Sequence, residues 1–188
     1  MTFRRSLPAF AKARSGTAAV EFALVLPVLL TMWLGMEQFS EYTTADAKTL
    51  MAAQSVSNLI SQLPASDSGT FTDIATAATQ IMSPLNTTGT LTVDVVGVTY
   101  TNPTTPAVGW RCTTTGGPAA DTTVPLSLAN SLGSSSQMTV MVNVKYAFSP
   151  AMTFNFLGSA VTNALGAQTL SERAFSRPRL VSQLSKPC

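Results

Sequence analysis

The stretch from Gly16 to Met36, GTAAVEFALVLPVLLTMWLGM, constrains the chain more than any other. From Thr17 to Met36 it is a nearly continuous apolar run with a single charge, Glu21. A hydrocarbon core roughly 30 Å thick needs about 20 apolar residues in helical form, so the run is long enough to span a bilayer. Arg4, Arg5, Lys12 and Arg14 precede it, with no acid among them. A basic cluster beside a first apolar segment favours an N-terminus held on the cytoplasmic side and a chain that crosses after it.

Glu21 is the residue out of place. A carboxylate at the centre of a membrane helix costs about 2.5–3.5 kcal/mol on insertion scales and less near an end, which is where Glu21 lies. One reading makes it an interfacial acid at a ragged helix start. The other takes its neighbours into account: a basic leader, Gly16, an acid five residues after that glycine, then Phe22 and an unbroken apolar run. Residues Arg14 to Pro27, RSGTAAVEFALVLP, resemble the N-terminus of the TadE-like pseudopilins of the tight-adherence (Tad) pilus, which are type IV pilin-like proteins. The specific part of the resemblance is about a dozen residues long; the tail from Arg177 to Cys188 is similar more loosely.

The resemblance implies that a prepilin peptidase cuts after Gly16 and leaves Thr17 as the new N-terminus. It implies a minor pilin or pseudopilin, a structural subunit in Tad pilus assembly, with roles in adhesion. Gly16 and Thr17 would be the processing site, and Glu21, Phe22 and Pro27 the assembly and recognition residues. The implied partners are the bacterial inner membrane, the peptidase, other pilins and the Tad assembly machinery. The protein would cross the membrane once and act on its periplasmic side or in the pilus. The physical logic of Glu21 is separate from the family: its carboxylate and an ammonium at Thr17 lie about one helical turn apart, and the carboxylate of one subunit can pair with the ammonium of a neighbour.

Charge and composition narrow the alternatives. Of eleven basic residues four precede Gly16, leaving seven against nine acids, so the chain beyond the leader is slightly acidic. No cluster of Lys and Arg marks a nucleic-acid surface. There is no histidine, which removes histidine triads, histidine metal sites and histidine general bases. Cys112 and Cys188 form no CxxC motif. On the far side of a membrane, an oxidising compartment favours one intramolecular disulfide over two free thiols or an intermolecular bridge.

Along the chain, residues 1–16 read as a leader and 17–36 as the membrane helix, with Pro27 inside it. The helix is expected to continue as an amphipathic segment over 37–63. There Val56, Leu59, Ile60 and Leu63 form an apolar stripe, and Ser55, Ser57, Asn58, Ser61 and Gln62 take the other face. Pro64 ends the pattern, and 64–188 is expected to be an extracytoplasmic α+β domain. Phe71–Met82 reads as a short helix capped by Thr70 or Thr72, with Ile74, Ala77, Ala78 and Ile81 on one face. Leu91–Tyr100 reads as a strand with a bulge at Gly97, and Val108–Thr115 as another strand carrying Trp110 and Cys112. Gly116–Ser136 reads as loop. Gln137–Tyr146 is the cleanest strand, with one apolar and one mixed face, and the stripe of the long helix is its natural partner. Phe154–Leu165 is ambiguous between short helix and loop. Thr169–Phe175 reads as an edge strand whose Glu172 and Arg173 discourage further pairing.

The expected fold is therefore α+β: a long N-terminal transmembrane and amphipathic helix packed on a small antiparallel sheet. No phosphate loop, GxGxxG or GxSxG motif occurs, and Asp67, Asp73, Asp94 and Asp121 lack metal-binding spacing. Trp110 and Tyr146 read as core residues rather than a ligand platform. No enzyme, cofactor or metal site is expected. Two other readings compete with the pilin-like one. The first is an uncleaved single-pass assembly or binding factor. The second is a secreted soluble protein cut after Ala47, where Ala45-Asp46-Ala47 resembles a signal-peptidase site.

Overall fold

The computed structural model of the 188-residue chain describes residues 15–63, 68–150 and 166–188. The leader read at 1–16 thus lies outside the described residues up to Arg14, and so does the whole of the ambiguous segment 154–165. One helix, α1, runs from Ser15 to Ser61 without a break, through Pro27. A second, α2, spans Ser68–Met82. Four strands follow: β1 (Leu91–Tyr100), β2 (Pro106–Thr113), β3 (Met138–Phe148) and β4 (Gln168–Ser176). The chain divides into two compact units, one ending at Ser40 and one from Glu41 to Cys188.

In the first unit the described residues are α1 as far as Ser40. From Gly16 to Leu30 every side chain is exposed, and Phe22, Leu24, Met32, Trp33 and Met36 each show more than half of their surface. This is the helix that is long and apolar enough to cross a membrane. With no polar face, it has no side that water would favour.

The second unit is built on a four-stranded antiparallel sheet in the order β2-β1-β3-β4. Val93 and Val95 of β1 stand opposite Val144 and Val142 of β3, and both pairs face the helices. From α1, Ala45, Thr49, Ala52, Ala53, Val56 and Ile60 are buried against that face. Their recurrence every three to four residues is the helical period, and their small size lets the helix approach the sheet closely. From α2, Phe71, Ile74, Ala78 and Met82 complete the layer. β1 is bulged at Gly97–Val98 against β2, as the sequence indicates. The glycine serves packing as well, since a Cβ there would fall 2.3 Å from the Trp110 ring.

Three expectations are corrected. Leu59 lies on the rim of α1 and is 39% exposed, whereas Ser57 and Ser61 are buried. The cause is the end of the chain. Ser176 donates its hydroxyl hydrogen bond to the Ser57 carbonyl (2.8 Å), and the Arg179 N–H donates to the Ser61 carbonyl (2.8 Å), so the polar rim is closed over. Thr70 and Thr72 do not cap α2; they lie inside it, and the Thr72 carbonyl accepts from the Thr76 hydroxyl.

Third, the mixed face of β3 is also covered. Val96, Val98, Tyr100, Met141 and Ala129 form a second buried cluster with Val124 and Leu126. The segment 116–136, loop apart from a single turn at Leu126–Ala129, lies over the sheet there. The Tyr100 hydroxyl donates to the Ala129 carbonyl (2.8 Å). Gly117 anchors the start of this segment, where a Cβ would sit 2.3 Å from the Leu91 carbonyl oxygen.

Candidate functional sites

The first candidate is the start of α1. Gly16 and Thr17 occupy its first turn and are exposed. A Cβ added at Gly16 would meet nothing within 4 Å, so packing within this chain does not require glycine there. Glu21 is one turn further on, about 6 Å along the axis, and Phe22 beside it is 61% exposed. Pro27 has no N–H to offer, so the Ala23 carbonyl loses its partner four residues on. In lipid such a carbonyl needs another donor. Thr31, one turn later, donates its hydroxyl to the Val28 carbonyl (2.8 Å). The candidate processing and assembly residues thus lie on one exposed, regular helix.

The second is the disulfide. Cys112 and Cys188 are bonded across a separation of 76 residues, with Cys112 buried in the core. The tail before Cys188 is a strap. The Met138 N–H donates to the Ser182 carbonyl (3.1 Å), Trp110 Nε1 donates to the Leu184 carbonyl (2.8 Å), and the Leu184 side chain is buried. Trp110 and Tyr146 are core residues, as expected, with Tyr146 buried and Trp110 half-buried.

The third was not visible in the sequence. Thr113, Asp94, Asn143 and Arg173 form one row straight across the four strands. Arg111 grips Asp94 with two bonds (2.8 and 2.9 Å), and the Thr113 hydroxyl adds a third (2.7 Å). Asp121, from the covering segment, accepts from Lys145 (2.7 Å), Arg173 (2.8 Å) and Asn143 (3.1 Å). Its backbone carbonyl accepts from Arg111 (2.7 Å). Asp94 and Asp121 appear isolated in the sequence because each finds its partners only through strand register. Every charge in the network is paired, which makes it a clamp that holds the segment on the sheet. Among the described residues no three His, Cys, Asp or Glu side chains come together to hold a metal.

The clamp carries a pH dependence. Hydrogen bonds from Lys145 and Arg173 hold the Asp121 carboxyl below its usual 3.8, while the bond to Asp94 holds Arg111 above its usual range. A lowered carboxylate pKa stabilises the fold above the unfolded value and loses that contribution as pH falls through the folded one. The melting temperature of Asp121→Asn is therefore expected to lie below that of the wild type at neutral pH. The gap should close as pH falls from 3.8 through the lowered value of the folded state, where Asp121 itself becomes protonated. Thermal melts across that range check it; a constant gap would assign the effect to something other than the charge.

Residues 16–56 match the family model described as TadE-like protein. The match takes in the exposed apolar run and the first buried turns of α1, and ends at Val56 on the stripe that faces the sheet. No curated protein matches the chain, and no solved structure does.

Proposed function

We propose that this chain, TadE-like over residues 16–56, is a pilin-like structural subunit, a minor pilin or pseudopilin. It acts in the assembly of a Tad pilus after a prepilin peptidase cuts between Gly16 and Thr17. The observation that carries the reading is the apolar run from Thr17 to Met36, whose single acid, Glu21, lies one turn from the proposed new N-terminus. On this reading the N-terminus faces the cytoplasm, the helix from Thr17 to Met36 is the anchor, and the unit from Glu41 onward lies across the membrane. The protein works as a building part and not as an enzyme.

Two physical points support the order of events. The leader's four basic residues resist extraction of the helix from an anionic cytoplasmic leaflet, at about 1 kcal/mol each, so their removal favours release into a filament. The new ammonium at Thr17 also gives Glu21 a partner, intersubunit or intrasubunit, that offsets the cost of a carboxylate in lipid. The reading in which a signal peptidase cuts after Ala47 meets an obstacle. α1 runs unbroken through that position, and Ala45 is fully buried against the sheet unit. A cut there would sever the helix inside its packed part.

The mature N-terminus tests the proposal. In a host with the matching peptidase, Edman or intact-mass analysis is expected to find Thr17 as the first residue. A start at Lys48 or at Met1 or Thr2 would favour one of the competing readings. Gly16→Leu is expected to abolish the cut and leave the 16-residue longer form in the membrane, with the sheet unit folded, because the added side chain has open space in this chain.

A further inference from the structure

Among the asparagines of the chain, Asn86 alone begins a triplet Asn-X-Thr or Asn-X-Ser in which X is not proline: Asn86, Thr87, Thr88. That triplet is the acceptor for N-linked glycans, and it serves only where the asparagine is at the surface of an exported domain. Asn86 lies in the turn between α2 and β1, and both Asn86 and Thr88 are exposed.

The turn also has the shape that the reaction needs. The Thr88 N–H donates to Asn86 Oδ1 (3.1 Å), which makes an Asx turn, and the Thr90 hydroxyl donates to the Asn86 carbonyl. An enzyme that reads this triplet must hold the side-chain amide and the hydroxyl two residues on at the same time. Here the fold holds the two residues together beforehand, so less ordering entropy is lost on binding. The bond within the turn takes the amide oxygen and not Nδ2, the nitrogen that would carry the sugar. Asn102 supplies the contrast. It makes the same turn with the Thr104 N–H (3.1 Å), but Pro103 stands in the middle position and the Thr104 hydroxyl is bound to Asn102 Oδ1 (2.9 Å).

The surface beside Asn86 suits the product. Thr87 and Gly89 of the turn line a groove of about 230 Å³, whose other walls include Thr72, Thr76, Thr114 and Thr115. Among the described residues no charged side chain lines it. Each threonine offers a hydroxyl beside a methyl, and a neutral sugar likewise presents hydroxyls beside C–H groups.

We propose that Asn86 is an N-glycosylation site, filled by an oligosaccharyltransferase that takes its glycan from a lipid pyrophosphate. The proposal rests on the pilin-like reading for one thing, the crossing of the membrane by the unit that carries Asn86. In the transfer, Asn86 Nδ2 bonds to the anomeric carbon of the glycan as that carbon's bond to the pyrophosphate oxygen breaks. Nδ2 gives up one proton to a base of the transferase, and the lipid pyrophosphate leaves with the electron pair. No oxidant or reductant takes part.

The test is mass spectrometry of the full chain purified from membranes of the cells that naturally make it. The peptide spanning Asn86 is expected to be heavier by whole sugar residues, with fragmentation placing them on the asparagine, and the peptide spanning Asn102 is expected to be bare. Thr88→Ala should abolish the added mass and Thr88→Ser should keep it, with thermal melts showing both variants folded. A bare Asn86 peptide in the wild type, sugar placed on a threonine, sugar on Asn102, or added mass that survives Thr88→Ala would overturn the proposal. The mature N-terminus is read in the same samples. A Thr17 start with a bare Asn86 defeats the glycan alone, whereas a glycan on Asn86 with a different start supports the site and defeats the pilin-like reading.

Discussion

Replacing Cys112 and Cys188 together with serine is expected to lower the melting temperature of the sheet unit by about 10–15 °C. The bond closes a separation of 76 residues. Chain entropy puts the stabilisation from a loop of that size at about 4 kcal/mol. An ordinary domain has only about 5–15 kcal/mol in total, so the loss takes a large fraction of it. The effect should begin at the tail. Without the bond, the strap from Arg177 to Cys188 keeps only single contacts, among them Trp110 to Leu184 and Met138 to Ser182. In a Trp33→Phe background, Trp110 fluorescence should therefore shift to the red before the sheet melts. Reduced wild-type protein should behave as the double mutant does. A melting temperature within about 2 °C of the oxidised wild type would show that the strap stabilises nothing beyond its local contacts.

The parts of this fold that depend on local pattern were legible in the sequence. Leu91–Tyr100 has the strand bounds that its Val and Thr content indicates, and the alternation from Met138 to Tyr146 marks the face of β3 that meets α1. α1 follows from a run too apolar to be anything else and from the stripe that continues it. What was not legible depends on register and on distant segments. Ser57 and Ser61 read as a solvent face because nothing near them in sequence shows that β4 and the tail return to cover them. The segment 116–136 has no period. It is held by Asp121 and Gly117, whose partners lie on other elements, so its place over the second face of the sheet could not be read from its own residues. For the N-terminal site the balance is reversed. Gly16, Thr17 and Glu21 are a linear motif on an exposed helix, and their meaning lies in the residues and not in the packing around them.

Glu21→Ala is expected to abolish pilus assembly while leaving the protein inserted and its sheet unit folded. Glu21 is exposed on a regular helix and belongs to the first of the two compact units, so its removal takes no packing from the core around the sheet. Membrane insertion should become easier, because the change removes a carboxylate that costs about 2.5–3.5 kcal/mol at a helix centre and less near an end. Assembly should respond in the opposite direction. On the proposed reading, subunits that pack side by side in a filament withdraw the ammonium at Thr17 from water. Removing the partner of a desolvated charge costs about 3–5 kcal/mol, a factor of about a hundred or more at each contact. Glu21→Gln should fail almost as badly, since it keeps the shape and loses the charge. Glu21→Asp should retain part of the function, with the charge drawn back by one methylene. Membrane fractionation and limited proteolysis check that insertion and fold are intact, and shear-released pili measure assembly. Normal piliation by Glu21→Ala would remove the charge pair from the mechanism and leave Glu21 as an interfacial acid at a helix start.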